Sequence, residues 1–166
     1  MTTMDDLKAA FAGESQANRR YLAFADQAEK EGYANIARLF RAVAAAETVH
    51  AHSHFRTMGG VNSTAENLKA AIAGENYEVK TMYPEFMEDA KEEGERRAEI
   101  TFKHAWEVEK IHEQLYRAAL EQVEESDIED EEYYVCAVCG HTHVGSEAPE
   151  MCPICGAKRE RYMKID

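Results

Sequence analysis

Proline and glycine are scarce, with 3 and 9 in 166 residues. A many-turned β fold draws on both for its special turn conformations, so the scarcity favours long helices. No run approaches the roughly 18–20 apolar residues that span a bilayer. The opening MTTMDDLKAAF lacks the basic-then-apolar build of a secretory leader. Bases are also few: 19 Lys and Arg stand against 32 Asp and Glu, a formal charge of −13. Nucleic acid and membrane surfaces are therefore not expected as partners. Cysteine is missing before Cys136, and strand-like alternation before Tyr133. The remaining composition, 45% hydrophobic and 31% charged, suits a folded cytoplasmic protein with one ordinary domain and a small appendage.

The acid is concentrated. Residues 121–132, EQVEESDIEDEE, carry eight acids and no base. Such a run repels itself and resists packing, which predicts a helix end passing into a solvated linker. Residues 1–124 are thus read as a helical domain, 125–132 as linker and 133–166 as a small cysteine domain. Apolar spacings of three and four predict helices over 4–31, 35–58, 64–93 and 95–124. Gly32 and Gly94 stand where a C-terminal glycine ends a helix. Ser63 with Glu66 predicts a capping box for the third helix.

The two helical halves echo each other. A shift of 62 carries Tyr21 to Tyr83, Phe24 to Phe86, Ala28 to Ala90, Gly32 to Gly94, Glu47 to Glu109 and His50 to His112. Gly13-Glu14 falls on Gly74-Glu75 at 61, which leaves one extra residue between Glu75 and Tyr83. A π-bulge would absorb it, a feature that often accompanies functional sites. Two matching hairpins predict a pseudo-twofold four-helix bundle.

Glu47-x-x-His50 and Glu109-x-x-His112 each offer an oxygen and a nitrogen on one helix side, within strongly apolar stripes. A carboxylate on an interior face is costly unless a cation or partner compensates it. Glu14 and Glu75 add matching carboxylates from the other two helices, and Glu78 shares the face of Glu75. Two Glu helices opposite two Glu-x-x-His helices form the ligand pattern of di-iron and di-manganese carboxylate bundles. Oxygen and nitrogen donors without sulfur suit iron or manganese, with zinc as a substitute. His52, His54 and His104 read as surface or rim residues, and Phe102 and Trp106 as core. Tyr21 and Tyr83 lie about two turns beyond a ligand and return to the metal face, as core residues or as hydrogen-bond partners of the ligands.

In the tail, Cys136-x-x-Cys139 and Cys152-x-x-Cys155 predict two knuckles around one tetrahedral metal. Sulfur-only ligation suits both zinc and iron, and spacing does not separate them. His141 and His143, between the knuckles, are not expected to ligate.

Together AGESQANRRY, AETVH, AGENYEVKTMYPEF, VEKIH, VCAVCGHTH and APEMCPICGA resemble the rubrerythrins over nearly the whole chain. The resemblance implies a mainly α fold: a ferritin-like four-helix bundle followed by a small rubredoxin-like, four-cysteine metal-binding β domain. It implies a peroxidase that reduces hydrogen peroxide to water. The electrons come from NAD(P)H through a separate reductase and rubredoxin-type carriers, in defence against oxidative stress. By the same resemblance Glu47 and Glu109 bridge two irons, Glu14 binds one, and Glu75 with His112 completes the other. Glu78 and His50 match a pair between which one iron moves as its oxidation state changes. Tyr21 and Tyr83 match tyrosines near that centre. Cys136, Cys139, Cys152 and Cys155 would hold a single iron as electron relay. The rival readings are a ferroxidase or iron-storage bundle and a zinc-ribbon binding module.

Only about six residues, 59–64, join the second and third helices. They span at most ~20 Å, whereas a return along helices of about 25 residues needs roughly 35–40 Å. The expectation is a domain-swapped homodimer, with helices one and two of one chain packed on helices three and four of its partner.

Overall fold

The computed structural model describes residues 2–123 and 126–166. The chain is mainly helical, with the helices of a four-helix bundle followed by a small three-stranded antiparallel sheet that carries the four cysteines. Its elements are α1 (Thr3–Lys30), α2 (Ala34–Thr57), α3 (Thr64–Tyr77), a π-helical turn (Glu78–Met82), α4 (Tyr83–Glu92) and α5 (Arg96–Gln122). The strands are β1 (Tyr133–Cys136), β2 (Thr142–Val144) and β3 (Tyr162–Ile165). Two compact units result, Met1–Asn62 and Ser63–Asp166.

The first unit is the α1–α2 hairpin. Thr2 caps α1 in a reciprocal box with Asp5, satisfying donors that a helix start leaves open. Gly32, at φ +87°, closes the turn as expected. Ala25, Ala28 and Ala37 are the buried seam, with Phe40 packed against it. Such small side chains let the two helices approach closely, and Asn18, buried among them, donates from Nδ2 to the Ala44 carbonyl at 2.7 Å and to Thr48 Oγ1 at 2.8 Å. Beyond that seam, Phe24, Leu39 and Val49 remain 47%, 62% and 66% exposed. These are large apolar groups left partly open to solvent in this unit.

The second unit holds α3, the π turn, α4 and α5, together with the sheet. The Ser63–Glu66 capping box forms as the sequence predicts, and Gly94 turns the chain at φ +75°. The π turn sits between Glu75 and Tyr83, where the repeat carries its extra residue. Trp106 of α5 fastens this turn, its indole Nε1 donating to the Val79 carbonyl at 2.8 Å. A π turn displaces carbonyls from the regular ladder, and a side-chain donor is one way to satisfy them. The expected helix end at 124 and linker start at 125 lie outside the described residues. Glu132, read from sequence as linker, is held by the sheet: it accepts from Lys164 Nζ at 2.6 Å and Tyr134 Oη at 2.7 Å. The strand order is β2-β1-β3. Among the described residues no helix is long and apolar enough to cross a membrane.

The sequence repeat is also a structural one. Tyr21, Phe24 and Phe40 pack with ring-centroid distances of 6.3, 6.3 and 5.6 Å. Sixty-two positions on, Tyr83, Phe86 and Phe102 repeat the triangle at 6.4, 6.4 and 5.5 Å. Phe102, read as a core residue, is thus the third corner of a partly buried aromatic cluster.

Candidate metal centres

Three groups of side chains come together with metal-ligating geometry among the described residues, each with its donor atoms within 4.8 Å of one another. Glu14, Glu47 and His50 form one in the first hairpin, and Glu75, Glu109 and His112 form another in the second unit. The third is Cys136, Cys139, Cys152 and Cys155.

The carboxylate clusters are built alike. His50 Nδ1 lies 3.0 Å from Glu47 Oε2, and His112 Nδ1 lies 2.7 Å from Glu109 Oε2. The same ring nitrogen faces the same partner because Glu and His three apart share a helix side. Exposure differs: the His50 side chain is 54% accessible and that of His112 26%.

Crowding in the second cluster shows in its protonation. Burial, a hydrogen bond to Glu109 and the Glu109 charge push Glu75 up to about 7, with Glu78 adding to the effect. Burial opposes ionisation of Glu109 too, yet hydrogen bonds from His112 and Glu75 hold it below its ordinary value. His112 is raised, chiefly by its hydrogen bond to Glu109. Burial and the Glu109 charge raise Glu78. Tyr83 is raised by burial and by the charges of Glu78, Glu109 and Glu75, so it stays a neutral hydroxyl beside the cluster. Glu75 and Glu78, pushed toward their protonated forms beside Glu109, make a set that a divalent cation satisfies directly, and the donors suit iron or manganese.

The structure places Glu14, Glu47 and His50 in one cluster and Glu75, Glu109 and His112 in another. Glu78 is not a member of the three-residue group but lies within its field. Tyr21 is found in its aromatic triangle. His52 is exposed, and neither it, His54 nor His104 belongs to a described cluster.

The cysteine site is equally defined. Gly140 N donates to the Cys136 carbonyl and Gly156 N to the Cys152 carbonyl, each at 2.9 Å, closing the two knuckles. The sulfurs are free thiols: Cys136 and Cys155 lie 3.8 Å apart, Cys139 and Cys152 3.6 Å. A metal with four sulfurs at ~2.3 Å in a tetrahedron sets sulfur–sulfur edges of about 3.8 Å, so the set fits one tetrahedral ion. Burial opposes ionisation of Cys152, yet hydrogen bonds from Tyr162 and the knuckle backbone bring it down to about 6. His141, 6% exposed, donates to or accepts from Tyr162 Oη at 2.7 Å through Nδ1 and stands outside the ligand set.

Some contacts lie beyond spacing arguments. Asn76 Nδ2 donates to Glu113 Oε1 at 2.9 Å, linking α3 to α5 beside the second cluster. His112 Nε2 meets Thr142 Oγ1 of β2 at 2.9 Å. Only Asn18, a polar side chain in an alanine-rich stripe, carried a sequence signal for such a role.

The sequence matches the family profile described as rubrerythrin over residues 5–120, and the rubredoxin-like domain of rubrerythrin over 134–163. Rubrerythrin-2 of Clostridium acetobutylicum is 40% identical over 96% of this chain and 95% of its own. The rubrerythrin of Porphyromonas gingivalis is 40% identical over 92% and 84%. A solved structure described as the fully reduced, all-ferrous state of nigerythrin aligns with a TM-score of 0.58 at 35% identity, over 99% of this chain and 87% of that one.

Proposed function

The chain belongs to the rubrerythrin family, and from that premise we propose that it is a non-haem di-iron peroxidase reducing hydrogen peroxide to water. The observation that carries this reading is the coexistence of two Glu/Glu/His clusters with a separate all-sulfur site in one chain. Storing iron requires no single-electron sulfur site, whereas reducing a peroxide requires a supply of electrons.

In this reading Glu14, Glu47, Glu75, Glu109 and His112 would hold the two irons, Glu47 and Glu109 serving both, and Glu78 and His50 would be the alternative donors to one of them. The four cysteines would hold a third iron. Iron in these sites supplies the electrons that cleave the O–O bond and the one-electron steps that replenish them. The chain's own groups do the rest. The carboxylates neutralise the metal charge, and Glu109 fixes the His112 ring through Nδ1 in the metal-free form. Tyr83 keeps a hydroxyl proton at Oη beside the carboxylates, available to hydrogen-bond the peroxide substrate.

The ultimate donor is NAD(P)H, acting through a reductase and a rubredoxin-type carrier, in the cytoplasm as a defence against oxidants. Residues 1–124 act as the ferritin-like domain, 125–132 as linker and 133–166 as the rubredoxin-like domain. The homodimer is domain-swapped. Six residues, 58–63, join α2 to α3, too few to return along the bundle, and the first hairpin leaves Phe24, Leu39 and Val49 exposed.

Protein purified from its native source is expected to be red from thiolate-to-iron bands. It should also consume peroxide steadily with a reduced carrier, faster than it takes up iron in oxygen. Iron uptake without peroxide turnover would favour storage, and a colourless zinc-loaded protein a binding module.

A further inference from the structure

The two helical halves carry a cross-helix tie at the same pair of positions, with donor and acceptor exchanged. In the first hairpin the buried Asn18 side chain of α1 donates to the Ala44 carbonyl of α2 at 2.7 Å. An offset of 61 carries Asn18 to Val79, and an offset of 62 carries Ala44 to Trp106. There the side chain on α5 donates instead, from the Trp106 indole Nε1 to the Val79 carbonyl at 2.8 Å. Each tie lies one turn from the carboxylates of its own cluster. Asn18 and Val79 follow Glu14 and Glu75 by four residues, and Ala44 and Trp106 precede Glu47 and Glu109 by three. Residues at those spacings share a helix face.

The exchange of donor follows from the π turn. Val79 lies inside it, where carbonyls leave the regular ladder and become open to a side-chain donor. The turn begins at Glu78, whose counterpart in the regular helix α1 is Ala17, so the extra carboxylate and the π turn occur together. Glu78 stands close enough to the cluster for its charge to raise Glu75 and Tyr83. A second tie lies on its other side: Asn76 Nδ2 donates to Glu113 Oε1 of α5 at 2.9 Å, and Arg117 Nε donates to that same oxygen at 2.9 Å. Ser15, the counterpart of Asn76, donates instead to the Phe11 carbonyl of its own helix at 2.7 Å. Glu78 is thus bracketed by two bonds to the helix that carries Glu109 and His112.

We propose that Trp106 is a positioning residue for Glu78: its indole bond to the Val79 carbonyl pins the π turn against α5 and keeps Glu78 within reach of the site formed by Glu75, Glu109 and His112. A donor set keeps its geometry only when neighbouring groups hold it there, and here the holding bond comes from the ring one turn before Glu109. That Glu78 serves as a metal donor rests on the reading above.

The test uses the full-length chain with zinc in the cysteine site. Trp106 is the one tryptophan of the sequence, so its indole proton gives a single NMR signal. In wild type that proton should exchange with water at least about tenfold more slowly than in the urea-unfolded chain. W106F keeps an aromatic ring and removes the N–H; the amides of Glu78–Met82 should then exchange about tenfold faster. Cobalt titrated into the carboxylates should bind the second cluster, identified as the step lost in H112A, about tenfold more weakly in W106F. E78Q should weaken the same step, and W106F/E78Q should be no weaker than E78Q alone. An unprotected indole proton in wild type, or unchanged amides in W106F, overturns the pin. An equal loss of cobalt affinity from W106F in both backgrounds overturns the positioning of Glu78 and leaves a general loosening of the fold. Cobalt bound as tightly by E78Q as by wild type would instead sink the reading of Glu78 as a donor, and the exchange rates would still decide the pin.

Discussion

Glu75, Glu109 and His112 present a small problem in charge balance. Without metal, two carboxylates and an imidazole share one partly buried space. The solution is a proton on Glu75, pushed up to about 7 by burial and by Glu109, and a second on His112, raised by its hydrogen bond to Glu109. The sign for Glu75 is opposite to that of an ion-paired carboxylate. Its folded value is raised, so its contribution to stability is present below the ordinary carboxylate range and is lost as pH climbs through about 7. A metal entering this site displaces these protons. Calorimetric titration of metal-free protein with cobalt, in buffers of differing ionisation enthalpy, should show proton release at pH 6 that diminishes by pH 8. In E75Q the release should fall by about one proton at pH 6. Equal release from both proteins would mean that Glu75 carries no such proton.

At the level of elements, the informative feature is one residue too many. The repeat runs at 61 up to Glu75 and at 62 from Tyr83, and the π turn Glu78–Met82 lies between. It lets Glu75 and Tyr83 occupy places matching Glu14 and Tyr21 despite the insertion. Deleting exposed Lys80 should convert the turn to regular α-helix and rotate α4 by about 100° relative to α3. Helix content by circular dichroism and the cysteine-site spectrum should survive. Metal bound by the carboxylates should fall by about half, because the Glu75 cluster is lost and the Glu14 cluster is not. Retention of full metal content would show that the turn is dispensable. Much of this scale was legible in sequence: four helices, the capping box at Ser63, the glycine turns, the π turn and both knuckles follow from spacing along one chain. Cross-element bonds did not. Trp106 to Val79, Asn76 to Glu113 and His112 to Thr142 depend on how separate segments approach. A three- or four-residue period shows which face a side chain occupies, not what waits opposite.

For the whole molecule, the two clusters belong to two units with matching chemistry, Glu14, Glu47 and His50 in one and Glu75, Glu109 and His112 in the other. In the domain-swapped dimer proposed above, each working site takes its first half from one chain and its second half from the partner. Complementation between inactive variants separates this from a site made within one chain. E47A removes a first-half ligand and E109A a second-half ligand, so each homodimer alone should be inactive. When equal amounts are unfolded together and reassembled, half of the dimers carry one of each chain. A swapped heterodimer contains one site with both lesions and one with neither, so peroxide consumption should recover to about one quarter of wild type. In a dimer whose sites form within single chains, every site keeps one lesion and mixing restores nothing. The quarter recovery has no other source in this pair, because neither variant can donate a whole hairpin pair to itself. The same mixture, loaded with cobalt and counted for metal at the carboxylates, should show intact sites in the same proportion, which ties the regained activity to a rebuilt ligand set.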